Sequence, residues 1–149
     1  MMTARAFEGK HPIMKQEKSC GAVIYTVTDG KRLYLVERMQ KGHVSICKGH
    51  VEENESEYQT AEREIREEAG LAVEFIEEFR QTIEYSPYPG CSKTVVFFLA
   101  HTDDPNVTVQ EEEVREIVWL PFEEATASLT FDSDREVLQQ AEQFLNQYS

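Results

Sequence analysis

The segment from Gly49 to Leu71, GHVEENESEYQTAEREIREEAGL, restricts the possible folds of this chain more than any other part. Apolar side chains recur within it at helical spacing, and a glycine follows that would end the predicted helix. Three carboxylates, those of Glu64, Glu67 and Glu68, come together near the helix end. Grouped carboxylate oxygens suit hard divalent cations, and such cations suit phosphate chemistry. The segment therefore predicts a helix that ends in a metal site.

The same glutamates have a simpler interpretation as a solvated acidic face, which is what most charge runs are. Glu64 and Glu68 lie one turn apart, however, and like charges at that spacing destabilise a helix by roughly 0.2–0.5 kcal/mol per pair. Carboxylates in the last turn also oppose the helix dipole, at about 0.3–1 kcal/mol each. A bound cation would relieve both penalties, so the charge pattern alone leaves both interpretations open.

Net charge limits the partners that the chain can bind. Its 149 residues are enough for one domain with a buried core, and its formal net charge is −13. So acidic a surface repels nucleic-acid backbones and anionic membranes. We therefore expect neither a nucleic-acid polymer nor a membrane as partner. A polyanionic substrate would need a bound metal between itself and the protein.

The cysteines and the N-terminal residues bear on compartment and domain boundaries. Cys20, Cys47 and Cys91 are widely spaced and odd in number, which fits a reducing cytoplasm. No apolar run is long enough to span a membrane, and the first residues lack the apolar core of a secretory signal. We expect residues 1–17 to form an N-terminal arm or an extra strand, followed by one domain over residues 18–149.

Patterns outside the acidic segment predict strands and helices in succession. Apolar and β-branched runs predict strands over residues 20–27, 32–38, 73–85, 93–101 and 114–120, and helical spacing predicts helices over 122–129 and 134–148. Asp29-Gly30 indicates a hairpin turn, and Asn54 and Ser56 are both suitable N-caps for the acidic helix. Residues 40–48 are predicted to be a loop with a short extended piece. This order of elements predicts an α+β protein, a mixed α/β sandwich.

The spacing within the acidic segment resembles that of a known family. Gly49, then Glu55 after five residues, then REIREEAGL after seven more match the Nudix box at every specified position. The chain is therefore similar to the Nudix hydrolases. The resemblance implies an α/β/α sandwich with a mixed sheet that binds magnesium or manganese (Mg2+ or Mn2+) and cleaves a nucleoside diphosphate linked to another group. It also implies the metal ligands, which are the Gly49 carbonyl and the carboxylates of Glu64, Glu67 and Glu68.

Two further residues take implied roles in catalysis. The resemblance implies that Arg63 pairs with Glu55 and steadies the loop, although a surface ion pair of little energetic value would look the same in sequence. Glu113, on the loop before the last predicted strand, aligns with a glutamate that some family members use as a further metal ligand or base. A solvated acidic loop is the alternative. The base that takes the proton from the attacking water is either Glu64 or Glu113.

Sequence outside the box is similar to one group of Nudix enzymes, the asymmetric dinucleoside tetraphosphatases. The matching pieces are KGHVE at 48–52, Tyr85, KTV at 93–95, WL at 119–120 and FEEA at 122–125. This resemblance implies hydrolysis of diadenosine tetraphosphate to ATP and AMP. Val44 and Cys47 stand where family members often carry a tryptophan and a proline, which leaves the base preference open. We expect Cys47 to be an inert packing cysteine rather than a reactive thiol.

Substrate-binding residues are expected outside the predicted helix. Lys48 and Lys93 are candidates to meet phosphate oxygens as point charges, or else are surface lysines. Tyr85, Tyr88 and Phe131 are candidates to stack on adenine, although aromatic side chains more often pack in cores. The expected partner is a nucleotide or dinucleoside polyphosphate, bound by a monomer or a homodimer.

Other functions remain open at this point. One is a nucleotide-pool sanitising hydrolase of oxidised nucleoside triphosphates. Another is a pyrophosphatase for sugar nucleotides or inositol pyrophosphates, and the acidic charge argues mildly against the inositol compounds. A function from a different class is a nucleotide-sensing Nudix domain without activity, which the intact box disfavours.

Overall fold

The structure is a computed structural model that describes residues 15–148. This part contains seven strands: β1 (Lys15–Thr28), β2 (Lys31–Met39), β3 (Val44–Ser45), β4 (Lys48–His50), β5 (Glu74–Tyr85), β6 (Cys91–His101) and β7 (Val114–Leu120). It contains three helices: α1 (Glu57–Ala69), α2 (Phe122–Ser128) and α3 (Asp132–Gln147). Within the described range, none of the helices is long and apolar enough to cross a membrane. Of the predicted N-terminal arm, residues 15–17 begin β1 and the others lie outside the described residues.

All seven strands join one mixed sheet, in which β1 has the central position. β1 runs antiparallel to its hairpin partner β2 and parallel to the distant strand β6. β3 and β7 pair with β2, β5 pairs with β6, and β4 pairs with β1. The parallel pairing of β1 with β6 confirms the predicted mixed sheet.

Helices cover both faces of the sheet, so successive side chains of β6 point into two different cores. Phe97 and Leu99 pack in one core, together with the apolar side chains of α2 and α3. Phe98 and Ala100 pack in the other, beneath α1. A strand buried on both faces needs a continuous apolar run, which is what the VVFFLA sequence supplies. The α/β/α sandwich predicted from the family resemblance is confirmed.

Local sequence determines where α1 begins and ends. The Ser56 side chain accepts from the Gln59 N–H, and the Gln59 side chain accepts from the Ser56 N–H, which is a complete capping box. Asn54, the other predicted cap, instead adopts a positive φ of 68° in the preceding turn. Gly70 ends the helix in the left-handed conformation with φ 67°.

The main difference from the sequence-based prediction is the strand β4, at the end of the predicted 40–48 loop. Lys48 to His50 has little intrinsic strand preference, but its backbone pairs with residues 19–21 of β1. β1 is also longer than predicted, since it begins at Lys15 instead of Cys20. The predicted 73–85 strand forms β5, and its pairing with β6 has a register shift between Phe75 and Arg80.

Candidate active site

Pairing of β4 with β1 brings the loop glycine against the acidic helix. A Cβ atom added to Gly49 would lie 1.9 Å from Cδ of Glu64 and 2.2 Å from both of its carboxylate oxygens. No side chain fits in that space, so the position requires glycine because of close approach. The backbone of Gly49 and the carboxylate of Glu64 therefore share one side of a cleft, as the predicted ligand set requires.

Arg63 ties the loop to the helix through several charge-assisted hydrogen bonds. Its Nε donates to Glu55 Oε2 at 2.6 Å, and its Nη2 donates to the His50 carbonyl at 2.9 Å. Its Nη1 donates to Glu64 Oε2 at 2.8 Å and to Glu67 Oε1 at 3.0 Å. The hydrogen bond from Arg63 lowers the pKa of Glu55 to about 2. The pair predicted between Arg63 and Glu55 is present, and it fixes the position of the loop.

The three box glutamates differ in exposure. Glu64 and Glu68 are buried, whereas the Glu67 side chain is 53% exposed. The helix α1 turns Glu67 toward solvent, while Glu64 and Glu68 face the sheet. Burial and the adjacent Glu68 carboxyl raise the pKa of Glu64 to about 7. Burial and the nearby charge of Glu37 raise the pKa of Glu68.

Two buried side chains behind Glu68 were assigned no polar role from sequence. Glu37 lies on β2 at a core-facing position and is 1% exposed, and Cys47 is fully buried. Cys47 Sγ lies 3.3 Å from Glu68 Oε1, to which the thiol donates. Cys47 therefore contacts the site in addition to packing in the core. Strand alternation could have identified Glu37, because it shares the face of Leu35, which packs beneath α1.

An open cleft of about 220 Å³ brings most of the predicted catalytic and metal-binding residues together. The sequence-predicted residues that line it are Lys48, Gly49, Glu64, Glu68, Lys93 and Glu113. Glu113 reaches the cleft from the segment before β7, whose backbone is held by a 2.9 Å hydrogen bond from the Gln40 N–H to the Glu113 carbonyl. Glu67 is not part of this lining, and its carboxylate accepts a hydrogen bond from Arg63.

A second pocket of about 190 Å³ adjoins the acidic cleft at Lys48, which lines both. Tyr85, at the end of β5, and Phe131, before α3, line this pocket and are 44% and 52% exposed. Neither ring is buried in a core, so the alternative role predicted for both, core packing, does not apply to them. Tyr88, the third candidate, is 46% exposed and does not line the pocket. The structure thus separates Tyr88 from the other two aromatic candidates.

Asp134 is a pocket residue that sequence reasoning missed. It lies in the first turn of α3, lines the aromatic pocket and is 4% exposed. Burial raises the pKa of its carboxyl. The sequence signal was ambiguous, since an aspartate in the first turn of a helix is usually explained by the helix dipole.

The donor set of the acidic cleft fits a hard divalent cation. Its carboxylates and the adjacent backbone supply oxygen ligands, which Mg2+ and Mn2+ prefer. Glu64 and Glu68 lie one turn apart on α1 and both line the cleft, where burial opposes ionisation and raises the pKa of each carboxyl unless positive charge is added. A cation between them would supply the missing charge, so the cleft is an acidic site suited to a metal.

Comparison with known proteins identifies the family. The NUDIX domain family model matches residues 18–141, which is most of the chain. The chain therefore belongs to the NUDIX domain family, as the spacing of the acidic segment predicted.

Individual relatives narrow the class of enzyme. The chain is 34% identical over 140 residues to the Sus scrofa bis(5'-nucleosyl)-tetraphosphatase [asymmetrical], with 86% of this chain and 95% of the relative covered. It is 30% identical over 146 residues to the Mus musculus protein of the same name, with the same coverage. A solved binary complex of the C. elegans Ap4A hydrolase superposes with a TM-score of 0.82 at 28% identity, covering 89% of this chain and 99% of that one. Family and relatives support a pyrophosphohydrolase, the class of enzyme that the sequence predicted.

Proposed function

We propose that this protein hydrolyses a dinucleoside polyphosphate, specifically diadenosine tetraphosphate to ATP and AMP, with Mg2+ or Mn2+ as cofactor. The observation that carries the proposal is the junction of the acidic cleft with the aromatic pocket at Lys48. A phosphate chain beside the carboxylates would place an attached base next to Tyr85 and Phe131. The names of the relatives from Sus scrofa and Mus musculus support the same substrate class.

Charge explains why the chain would need the cation. A protein with a net charge of −13 repels a polyphosphate. The Gly49 carbonyl and the carboxylates of Glu64 and Glu68, which line the cleft, would hold the cation, with Glu113 and the more exposed Glu67 as further ligands. When bound, the cation neutralises phosphate oxygens and activates water for attack on phosphorus. We also propose a cytoplasmic setting, which the three free cysteines support.

Lys48 and Lys93 would bind the phosphate chain. Both line the acidic cleft, and burial together with the positive charge of Lys48 lowers the pKa of Lys93. A phosphate group near both ammonium groups would relieve that repulsion. The lysines therefore supply the local positive charge that the rest of the surface lacks.

Residues of the acidic cleft would carry out proton transfer, and residues of the aromatic pocket would stack on the base; Lys48 lines both. The proton acceptor is Glu64 or Glu113, which both line the acidic cleft, and Arg63 holds the Glu64 carboxylate in place. In the pocket, Tyr85 and Phe131 offer exposed ring faces to adenine. The substrate is thus oriented by its phosphates at one end and by its base at the other.

A product assay tests the proposal. Diadenosine tetraphosphate, oxidised dGTP and ADP-ribose are each incubated with the protein and Mg2+, and products are separated by chromatography. We expect ATP and AMP in equal amounts from the first substrate, at a higher kcat/KM than for the other two, and no product after chelation of the metal. Faster turnover of oxidised dGTP would favour the sanitising function instead. Nucleotide binding without any product would favour a sensor.

A further inference from the structure

A cluster of three buried side chains lies behind the acidic cleft and shares only Glu68 with the proposed reaction. We call Glu37, Cys47 and Glu68 the thiol-carboxylate cluster. One potential ligand atom from each lies within 4.8 Å of the other two. The Cys47 Sγ lies 3.3 Å from Glu68 Oε1. Three different parts of the chain therefore converge on one point: β2, the connection between β3 and β4, and α1.

An unsatisfied oxygen shows that the cluster is incomplete as a hydrogen-bonded group. Glu37 is 1% exposed, yet its Oε2 has no hydrogen-bond partner among residues 15–148. Buried carboxylates are normally paired, hydrogen-bonded or bound to a metal, because an unpaired one is expensive to desolvate. A ligand that accepts electron pairs from oxygen and sulfur would satisfy Glu37 and Cys47 together.

The chemistry of the donors selects the class of ligand. A thiol is a poor ligand for Mg2+, whereas Zn2+ and similar cations bind thiolate sulfur and carboxylate oxygen together. In a tetrahedral zinc site, bonds of about 2.3 Å to sulfur and 2.1 Å to oxygen place the two donor atoms roughly 3.6 Å apart. The 3.3 Å between Cys47 Sγ and Glu68 Oε1 is close to that separation.

We propose that Glu37, Cys47 and Glu68 form a second metal site, selective for a thiophilic divalent cation of the zinc class. The ion would enter through the acidic cleft, because Glu68 lines both the cleft and the cluster. Water or a cleft group would complete its coordination. Binding replaces the thiol proton, and any proton held by the carboxyls, with metal–ligand bonds and releases these protons to solvent. No oxidation or reduction takes place.

The direct test is titration of the metal-free protein with Cd2+, which reports thiolate ligation by an ultraviolet charge-transfer band. We expect the unaltered protein to develop this band and saturate with one Cd2+ per chain. Mg2+ competes for Glu68 but does not bind the thiolate, so a large excess should raise the Cd2+ concentration needed for the band without giving a band of its own. This experiment needs no substrate and is independent of the proposed hydrolysis.

Variants of the three cysteines identify the ligand. Cys47→Ser and Cys47→Ala should abolish the charge-transfer band, while Cys20→Ala and Cys91→Ala should keep it, since both of these thiols are also buried but lie outside the cluster. Glu37→Gln keeps the thiol and should weaken Cd2+ binding by more than roughly tenfold. Glu62→Gln, on the outer face of the same helix, is the matched control and should leave the affinity unchanged.

Three results would overturn the proposal. The first is absence of the band in the unaltered protein, which would mean that Glu37 and Glu68 share only a proton. The second is persistence of the band in Cys47→Ser, which would assign it to another thiol. The third is unchanged Cd2+ affinity in Glu37→Gln, which would remove this carboxylate from the site. Because Glu37→Gln leaves Cys47 in place, the test survives if a cysteine variant fails to fold.

Because Glu68 belongs to both the thiol-carboxylate cluster and the acidic cleft, metal binding to the cluster should affect hydrolysis. This expectation rests on the proposed function. Zn2+ bound to the cluster would withdraw Glu68 from the Mg2+ site, so micromolar Zn2+ should inhibit Mg2+-dependent hydrolysis. Glu37→Gln should shift the inhibitory Zn2+ concentration upward by about the factor measured for Cd2+ binding. Equal inhibition in both proteins would place inhibitory Zn2+ elsewhere.

Discussion

At the scale of single residues, the site depends on atoms that are closer together than their sequence positions suggest. Gly49 and Glu64 are separated by a turn and most of a helix, yet a Cβ on the glycine would collide with the glutamate carboxylate. Arg63 reaches back to both Glu55 and the His50 carbonyl. Backbone, guanidinium and carboxylate thus form one connected unit, in which each group restricts the others.

The metal assignment predicts that Glu68→Gln and Glu67→Gln reduce kcat by roughly 10²–10³-fold, the range for loss of one electrostatic contact to a transition state. The substitution removes a charge at nearly constant volume, so the thermal unfolding midpoint should change little. Turnover of diadenosine tetraphosphate with Mg2+ is the measurement. Glu62→Gln, exposed on the same helix, is the control and should retain the parental rate. Parental turnover in both Glu67→Gln and Glu68→Gln would refute the assignment.

The raised pKa of Glu64, about 7, predicts how stability depends on pH. An unfolded glutamate has a pKa of about 4.3. The folded metal-free protein therefore holds a proton that the unfolded chain has lost, and the free energy of unfolding falls as pH rises from about 5 to 8. Glu64 accounts for at most about 3 kcal/mol of this loss.

Urea unfolding at several pH values, with and without Mg2+, measures this effect. Mg2+ should flatten the pH dependence because it stabilises the ionised carboxylates. Glu64→Gln should reduce the pH dependence without metal, because one titrating carboxyl is gone, while Glu68, whose pKa is also raised by burial, still contributes. A metal-free protein that grows more stable between pH 5 and 8 would contradict the expected sign.

At the scale of elements, α1 is a case in which local sequence decides the boundary. The capping box of Ser56 and Gln59 provides hydrogen-bond acceptors for backbone N–H groups at the start of the helix. At its end, the N–H of the left-handed Gly70 donates to the Arg66 carbonyl. β4 is the opposite case. Its three residues carry no strand pattern, and only their pairing with β1 makes them a strand. Gly49 and the loop that follows β4 are therefore positioned by the sheet and by Arg63 together.

The capping box predicts a local contribution to stability. Ser56→Ala removes the acceptor for the Gln59 N–H and should lower the free energy of unfolding by about 1 kcal/mol. Asn54→Gly is the comparison, since Asn54 has a positive φ that glycine adopts freely, and it should cost little or nothing. Chemical unfolding of both variants gives the two values. If Asn54→Gly lowered the free energy of unfolding more than Ser56→Ala, the assignment of Ser56 as the cap would be wrong.

At the scale of the whole molecule, the sandwich brings the end of β5 and the start of α3 to the mouth of the acidic cleft. Tyr85 ends β5, Phe131 immediately precedes α3, and both line the pocket beside Lys48. The formal net charge of the chain is −13, yet this junction places Lys48 and Lys93 beside two exposed rings. A substrate that has both a phosphate chain and a base matches that arrangement.

The aromatic pocket predicts that Phe131→Ala raises KM for diadenosine tetraphosphate by about tenfold or more, because base–aromatic stacking contributes roughly 1–3 kcal/mol. Steady-state kinetics with Mg2+ measures it, and kcat should change less than KM if the chemistry lies in the other cleft. Tyr88→Ala is the control, since Tyr88 is similarly exposed but lies outside the pocket. An equal effect of both substitutions would show that the pocket does not bind the base.

The sequence alone determined the family, the mixed sandwich and the acidic helix, because these follow from short-range patterns: box spacing, strand and helix periodicity, and caps. Only the tertiary structure decided that Glu67 faces solvent while Glu64 and Glu68 are buried, that Lys48 to His50 forms a strand, and that Glu37 and Cys47 lie behind Glu68. These features arise from contacts between segments distant in the chain. Their geometry depends on how helix and sheet pack, and residue spacing does not encode it directly.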